Sequence, residues 1–180
     1  MTDRAAKAAA QWRVERPDLD AFPMEVLGRL IEAATLIGRD RLAPLFAQAG
    51  LQPGEFDVLA TLRRSGPPFA LTPTALYEAL MISSGGMTSR LDRLEKAGLI
   101  ARRPHPSDRR GILVTLTGAG RRLIDDLVGA HVENQRRVLA GLDAADQHSL
   151  NGLLARLIAG LAEGGETAVG ERPRPPRAAR

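Results

Sequence analysis

The sequence of 180 residues contains no cysteine. This absence excludes a disulfide framework, a thiolate metal site and a cysteine-based redox sensor. No apolar run approaches the roughly 20 residues that a membrane-spanning helix needs, and residues 1–10 lack the apolar stretch of a secretory signal. We therefore expect a cytoplasmic protein that makes no contact with a membrane.

Lysine is nearly absent as well, since Lys7 and Lys96 are the only two among 25 basic residues. The formal net charge of +4 is too small to indicate nucleic acid by itself. Its distribution is more informative: residues 90–110 hold seven basic and three acidic side chains, whereas residues 1–89 hold nine and ten. Arginine offers a planar fork for phosphates and guanine edges, although a GC-rich genome also enriches arginine.

Apolar residues at helical spacing predict most of the chain to be helical. The predicted helices cover residues 5–14, 23 to about 49 with a break near Pro44, 53–64, 74–81, 84–97, 118 to about 142, and 143–163. Thr72, Thr117 and Asp143 are suited to cap the helices that follow them. Gly50 and Gly98 are suited to end the helices that precede them.

Two short β-prone runs follow the helix at residues 84–97. Residues 99–103 and 112–116 are separated by a polar loop, which predicts a hairpin with an arginine-rich tip. Helix, short helix, tight turn, helix and hairpin form a winged helix-turn-helix. A helix of this kind fits the major groove of DNA, and a basic hairpin tip fits a narrow minor groove.

A long ordered motif supports this interpretation. Residues 87–123 read MTSRLDRLEKAGLIARRPHPSDRRGILVTLTGAGRRL, with LDRLEKAGLI followed by D-R-R and V-x-L-T-x-x-G. This stretch resembles the MarR family of bacterial transcriptional regulators. The resemblance implies a homodimer joined by long helices, in which Asp108 holds Arg110 for insertion into the minor groove. One departure is Ser84, where many members have proline.

The resemblance divides the chain into functional regions. It predicts an arm helix at 1–19, dimerisation helices at 20–51 and 117–163 and the winged helix-turn-helix at 52–116. The Gly/Pro/Arg-rich composition of residues 164–180 predicts a disordered basic tail. Double-stranded DNA, a second copy of the chain and a small anionic effector are the expected partners, and no cofactor or metal is expected. The predicted DNA-binding residues are Ser83, Ser84, Gly86, Thr88, Ser89, Arg90, Arg93, Arg103, Asp108, Arg109 and Arg110.

The arm sequence QWRVERPDLD resembles that of a MarR subgroup that responds to urate and related small acids. This resemblance implies a ligand pocket formed by Trp12, Asp57, Arg90 and, less directly matched, Arg102. The chemistry is coherent, because an indole stacks on a flat purine and an arginine pairs with its anionic edge. If Arg90 serves both ligand and DNA, ligand binding would displace the recognition helix.

Other interpretations of the same residues stay open. The arginines of residues 90–110 could also form a solvated basic face. Arg93 could pair with Asp92 or Glu95, and Arg102 could point inward. Trp12 could be a hydrophobic anchor, and Asp57 an exposed charge or one tied to Arg64. The leucines of the last helix could form an intramolecular core.

The sequence is also compatible with other functions. Another carboxylic or aromatic acid could replace urate, or the protein could bind DNA constitutively without an effector. An enzyme is not expected, since the sequence lacks a nucleophile elbow, a P-loop, an H-E-x-x-H motif and paired acids.

Overall fold

The structure, a computed structural model, describes residues 3–52, 54–80, 86–108 and 111–167. Eight α-helices and three short strands make up these ranges, which confirms a mainly helical fold with a small β wing. No helix within the described ranges is both long and apolar enough to cross a membrane. The helices are α1 (Arg4–Glu15), α2 (Phe22–Leu36), α3 (Ala43–Gln48), α4 (Glu55–Arg64), α5 (Pro73–Ala79), α6 (Met87–Lys96), α7 (Gly118–Leu139) and α8 (Ala144–Thr167).

The break that the sequence predicts near Pro44 lies one turn earlier. Residues Ile37–Leu42 form a π-helical turn between α2 and α3, in which the Ala43 N–H donates to the Gly38 carbonyl. Proline lacks an N–H and its ring crowds the carbonyl four residues back, so the helix widens just before Pro44. Gly50, at φ +73°, then ends the helical run as predicted.

The wing contains one strand more than the sequence predicts. Strands β2 (Ile100–Pro104) and β3 (Ile112–Leu116) form the expected hairpin, and β1 (Ala70–Leu71) pairs antiparallel with β3 on its other edge. The order is therefore β1–β3–β2. Arg102 lies opposite Val114 and Arg103 opposite Leu113, so the two arginines project from opposite faces of β2.

One hydrophobic cluster packs the helices of the helix-turn-helix, α4 to α6, against the strands of the wing. Its fully buried members come from α4, α5, α6, the strands and α7, and include Leu59, Leu62, Leu76, Leu94, Ile100, Val114 and Ile124. Each contributes about 1.5–3 kcal/mol of burial free energy in transfer terms. The recognition helix thus packs through Leu91 and Leu94 and leaves its opposite face exposed.

The T-x-x-G motif joins the wing to α7 without a linker. Thr117 accepts a hydrogen bond from the Gly120 N–H at 3.0 Å, and its own hydroxyl donates to the Gly98 carbonyl at 2.7 Å. The Thr117 N–H also donates to the Leu99 carbonyl at 3.1 Å. A Cβ at Gly120 would collide with that Leu99 carbonyl oxygen and approach the Leu99 carbonyl carbon at 2.9 Å. Glycine is required here because the helix and the chain at Leu99 approach too closely for any side chain.

The chain divides between residues 138 and 139 into two compact units. The second unit contains α8, which Asp143 caps through a 2.8 Å bond from the Asp146 N–H, as predicted. This helix continues to Thr167, four residues into the segment predicted to be disordered. Residues 168–180 of that predicted tail lie outside the described residues.

We expect Gly120→Ala to destabilise the fold by about 1–3 kcal/mol, because the added methyl group must push α7 off the Leu99 carbonyl. Gly129→Ala is the matched control on the same helix, since nothing lies within 4 Å of its Cβ position. Alanine there should stabilise the helix by up to about 1 kcal/mol. Urea unfolding of both variants tests the contrast, and equal effects would contradict it.

Candidate nucleic-acid interface and ligand site

Helix α6 begins at a glycine and exposes small polar residues in its first turn. Gly86 adopts φ +79°, in the left-handed region, and serves as N-cap. Thr88 and Ser89 are exposed, and the Ser89 hydroxyl donates to the Gly86 carbonyl at 3.0 Å. Gly86, Thr88 and Ser89 are among the residues predicted to contact DNA, and this contact stays a prediction. Ser83 and Ser84, predicted to precede them at the interface, lie outside the described residues.

Arg93 anchors the middle of α6 to the first turn of α4. Its Nε donates to Glu55 Oε1 at 2.7 Å, and the Glu55 side chain is only 5% exposed. The second carboxylate oxygen of Glu55 accepts the Gln52 N–H at 2.8 Å. The sequence suggested a local partner for Arg93, Asp92 or Glu95, and the actual partner lies 38 positions away. Glu55 was missed because its partner lies on another helix, and spacing along α4 gives no signal for it.

Arg102 turns toward α6 and not toward Asp57. Its Nη1 donates to Glu95 at 2.6 Å and its Nη2 to Asp92 at 2.7 Å, while its backbone N–H donates to Glu95 at 2.9 Å. The inward alternative is therefore the one found for Arg102, and both terminal nitrogens of its fork are engaged. Arg103, the next residue on β2, is exposed as its predicted DNA contact requires.

The wing tip is built on a tight glycine turn. The Gly111 N–H donates to the Asp108 carbonyl at 3.0 Å, and the His105 N–H donates to the Gly111 carbonyl at 2.9 Å. A Cβ at Gly111 would lie 2.9 Å from that of His105, so this position also requires glycine. Asp108 is exposed beside the turn, and the predicted contacts Arg109 and Arg110 lie outside the described residues.

Asp57 on α4 lies between charged groups of two other helices. The residue is half-buried, and burial raises the pKa of its carboxyl group, with the charges of His131 on α7 and Arg90 on α6 acting in the opposite direction. Two of the four predicted ligand residues, Asp57 and Arg90, are therefore close enough for their charges to interact. A desolvated carboxylate near an arginine of the recognition helix is a candidate functional group.

His131 is the third member of this group and was not among the residues predicted to bind DNA or ligand. Its ring lies 4.5 Å from that of Phe56 and 5.6 Å from that of Phe46. Gln135 Nε2 lies 2.9 Å from the Nε2 of this ring, so Nδ1 is the ring nitrogen left for another partner. That buried Nδ1 finds no partner among the described residues. Its spacing from the buried Ile124 and Leu127 could have indicated an inward position.

Trp12 is 43% exposed on the arm helix α1, which packs on α2. The arm is held there by small residues, since Ala5 and Ala9 are buried and Gly28 accepts Ala5 closely. Ion pairs of Arg4 with Glu32, Arg13 with Glu25, and Arg29 with Asp3 also join the two helices at 2.7–2.8 Å. The ligand role of Trp12 stays a prediction.

We expect His131 to make folding stability depend on pH. Burial lowers the pKa of His131, so its contribution is complete above the ordinary histidine value of 6.5 and is lost as the pH falls through the lower value of the folded state. Between pH 7 and pH 5 the wild-type Tm should therefore fall by about 2–4 °C more than that of His131→Phe. Parallel pH profiles for the two proteins would contradict this expectation.

Comparison with known proteins agrees with this arrangement. The family model for MarR matches residues 49–111. PecS, an HTH-type transcriptional regulator of Dickeya dadantii, is 46% identical over 147 residues, covering 82% of this chain and 88% of PecS.

Solved structures extend the likeness. Sco3205, a MarR family regulator of Streptomyces coelicolor in complex with DNA, matches with a TM-score of 0.70 and 30% identity, covering 79% of this chain and 89% of Sco3205. BpsR of Bordetella bronchiseptica matches with a TM-score of 0.61 and 26% identity, covering 74% of this chain and 98% of BpsR. With its winged helix-turn-helix and these relatives, the chain belongs to the MarR family of DNA-binding transcriptional regulators.

Proposed function

We propose that this protein is a homodimeric repressor that binds a palindromic operator and is released by a small anionic ligand. The observation that carries the ligand part is the half-buried Asp57, whose carboxyl pKa is raised by burial and lowered by the charges of His131 on α7 and Arg90 on the recognition helix. The Asp57 carboxylate thus interacts electrostatically with α6, the recognition helix, and with α7, which belongs to the predicted dimerisation region.

Exposed apolar side chains support the dimer. Single exposed leucines are ordinary, but a stripe of them along one helix indicates an interface. On α8 the exposed apolar residues are Leu150, Leu153, Leu157, Ile158 and Leu161, and on α2 they are Phe22, Met24, Val26, Leu27 and Ile31. A two-fold dimer would cover such faces. Its two winged helix-turn-helix units would then face the two half-sites of a palindrome, which lie about one helical turn apart.

Contact with DNA is assigned to the exposed face of α6 and to the wing. Thr88, Ser89 and Arg90 lie in the N-terminal half of α6, the part of a recognition helix that reaches base edges. Arg103 on β2 and the wing residues Asp108, Arg109 and Arg110 complete the proposed interface. Arg93 is tied to Glu55 through Nε, and its side chain remains 43% exposed, so its fork extends from a fixed base.

The proposed effector is a flat heteroaromatic anion. BpsR is described as regulated in DNA binding by 6-hydroxynicotinic acid, and the arm resembles that of urate-responsive regulators. An anion that binds Arg90 would remove this side chain from the operator, provided the ligand prefers the displaced state. Trp12 is a further candidate for this site by resemblance, whereas the guanidinium of Arg102 is engaged with Asp92 and Glu95 on α6.

An apolar cavity of about 170 Å³ lies next to the aromatic cluster of Phe46, Phe56 and His131. It is lined by Gly38, Leu42, Ala43, Phe46 and Gly54. This volume is of the size that accommodates a single aromatic ring. A ligand ring there would contact the wall formed by Phe46, which stacks on Phe56 at 4.5 Å.

A constitutive DNA-binding protein is the competing function. The deciding experiment measures release of a DNA fragment from the protein's own upstream region, with urate, xanthine, 6-hydroxynicotinate and citrate added separately. Quenching of the single tryptophan, Trp12, monitors binding in parallel. Release by one of these acids supports the proposal, whereas unchanged binding and fluorescence with all four favour the constitutive function.

We expect Asp57→Asn to abolish ligand release while raising thermal stability. Burial raises the pKa of Asp57, which means that the folded state disfavours its ionised form at neutral pH. The neutral amide removes this unfavourable term, so the Tm at pH 7 should rise by about 1–3 °C. A variant that keeps its ligand response would place the effector elsewhere.

We expect Arg110→Ala to weaken operator binding about tenfold, because the wing loses its minor-groove contact. Arg136→Ala, which removes one positive charge from an exposed pair on α7, is the matched control and should bind normally. Size-exclusion chromatography should show both variants to be dimers. Unchanged operator affinity for Arg110→Ala would overturn the role of the wing.

A further inference from the structure

Arg102 connects the wing to the recognition helix through three hydrogen bonds. Its guanidinium reaches Glu95 at 2.6 Å and Asp92 at 2.7 Å, and its backbone N–H reaches the other oxygen of Glu95 at 2.9 Å. Asp92 and Glu95 are three residues apart and therefore lie on one face of α6. We call this group of three residues the clasp.

The clasp uses the geometry of a fork. The Arg102 side chain is only 28% exposed, and each terminal nitrogen serves a different carboxylate. A lysine ammonium is a point charge on a flexible stem and cannot reproduce this planar arrangement. The neighbouring Arg103 projects from the other face of β2 and is exposed, so the two arginines of the same strand have different surroundings.

An arginine in this position would leave two carboxylates without their partner if it moved to a phosphate or to an effector. Because the Asp92 and Glu95 side chains are 58% and 37% exposed, each ion pair alone is weak, and the position of Arg102 is fixed by the three hydrogen bonds acting together. The clasp therefore favours a fixed position for Arg102 between β2 and α6.

We propose that Arg102 is a positioning residue that sets the distance between the wing and the recognition helix and thereby determines operator selectivity. This inference rests on the proposed DNA contacts of α6 and the wing. Two contacts that must engage neighbouring grooves at once bind tightly only if their separation is fixed beforehand. A wing whose distance from α6 is not fixed can still bind DNA phosphates. It no longer places its own contact and that of α6 in neighbouring grooves at the same time.

The carboxylates of Asp92 and Glu95 provide a test, because the clasp and long-range electrostatics predict changes of opposite sign in operator affinity. Asp92→Asn with Glu95→Gln removes two negative charges next to DNA, so long-range electrostatics alone predicts tighter binding to every sequence. The clasp predicts the opposite for the operator. We expect operator affinity to fall about fivefold while affinity for unrelated DNA stays equal or rises. The probes are the tightest duplex that the wild type selects from a random library and a duplex of unrelated sequence.

A mutant cycle identifies the partners. Arg102→Gln, the double carboxylate variant and the triple variant are compared by fluorescence anisotropy, with Arg136→Ala as control and circular dichroism as a check of folding. If the clasp operates, the triple variant binds the operator no more weakly than Arg102→Gln, and Arg102→Lys restores little. Additive losses, or operator binding that tightens in the carboxylate variant, would overturn the proposal.

Ligand release distinguishes this inference from the proposed effector site. Arg102→Gln should respond to an active acid with the same relative loss of DNA affinity as the wild type, whereas Asp57→Asn should not respond. Arg102→Gln with normal operator affinity and no ligand response would make Arg102 an effector ligand and would refute the clasp. If no acid releases the wild type, the effector proposal fails, and the mutant cycle still decides the role of the clasp.

Discussion

The buried carboxylate of Glu55 is the constraint on which the reading head depends. A charge removed from water needs partners for both oxygens, and Glu55 finds them in Arg93 on α6 and in the Gln52 N–H before α4. The pair fixes α6 against α4 at one point, while Leu91 and Leu94 fix its buried face. The recognition helix is held by one polar and one apolar attachment.

This constraint changes the meaning of the basic segment at 90–110. Of its seven cations, Arg93 is engaged with Glu55, and Arg102 with Asp92 and Glu95. The segment therefore serves two purposes, since part of its charge assembles the reading head, and Arg90, Arg103, Arg109 and Arg110 are the residues proposed to contact DNA. Arg90 differs from Arg93 and Arg102. Its positive charge favours the ionised form of Asp57, whereas burial raises the pKa of that carboxyl group. The proposed ligand response rests on this interaction of Arg90 with Asp57.

Local pattern predicted the helices, the hairpin and the caps at Thr72, Thr117 and Asp143, because each depends on residues within one or two turns. Strand β1 was missed since two residues carry no periodicity. The partners of Arg93 and the ring contacts of His131 were missed because they join segments far apart in the chain, and spacing within one helix carries no signal for them. Asp57 and Arg90 were predicted together through a family resemblance and not from their spacing.

Thr117 is the only residue between the end of β3 and the start of α7, and both its backbone N–H and its hydroxyl are bonded to residues 98 and 99. The junction contains no flexible linker, so a rotation of the wing would rotate α7 with it. Helix α7 has 22 residues, about 33 Å at 1.5 Å per residue. A tilt of about 10° at the wing would therefore carry the other end of this helix through about 6 Å. In a dimer, a small rotation of one reading head would thus become a change in its distance from the other.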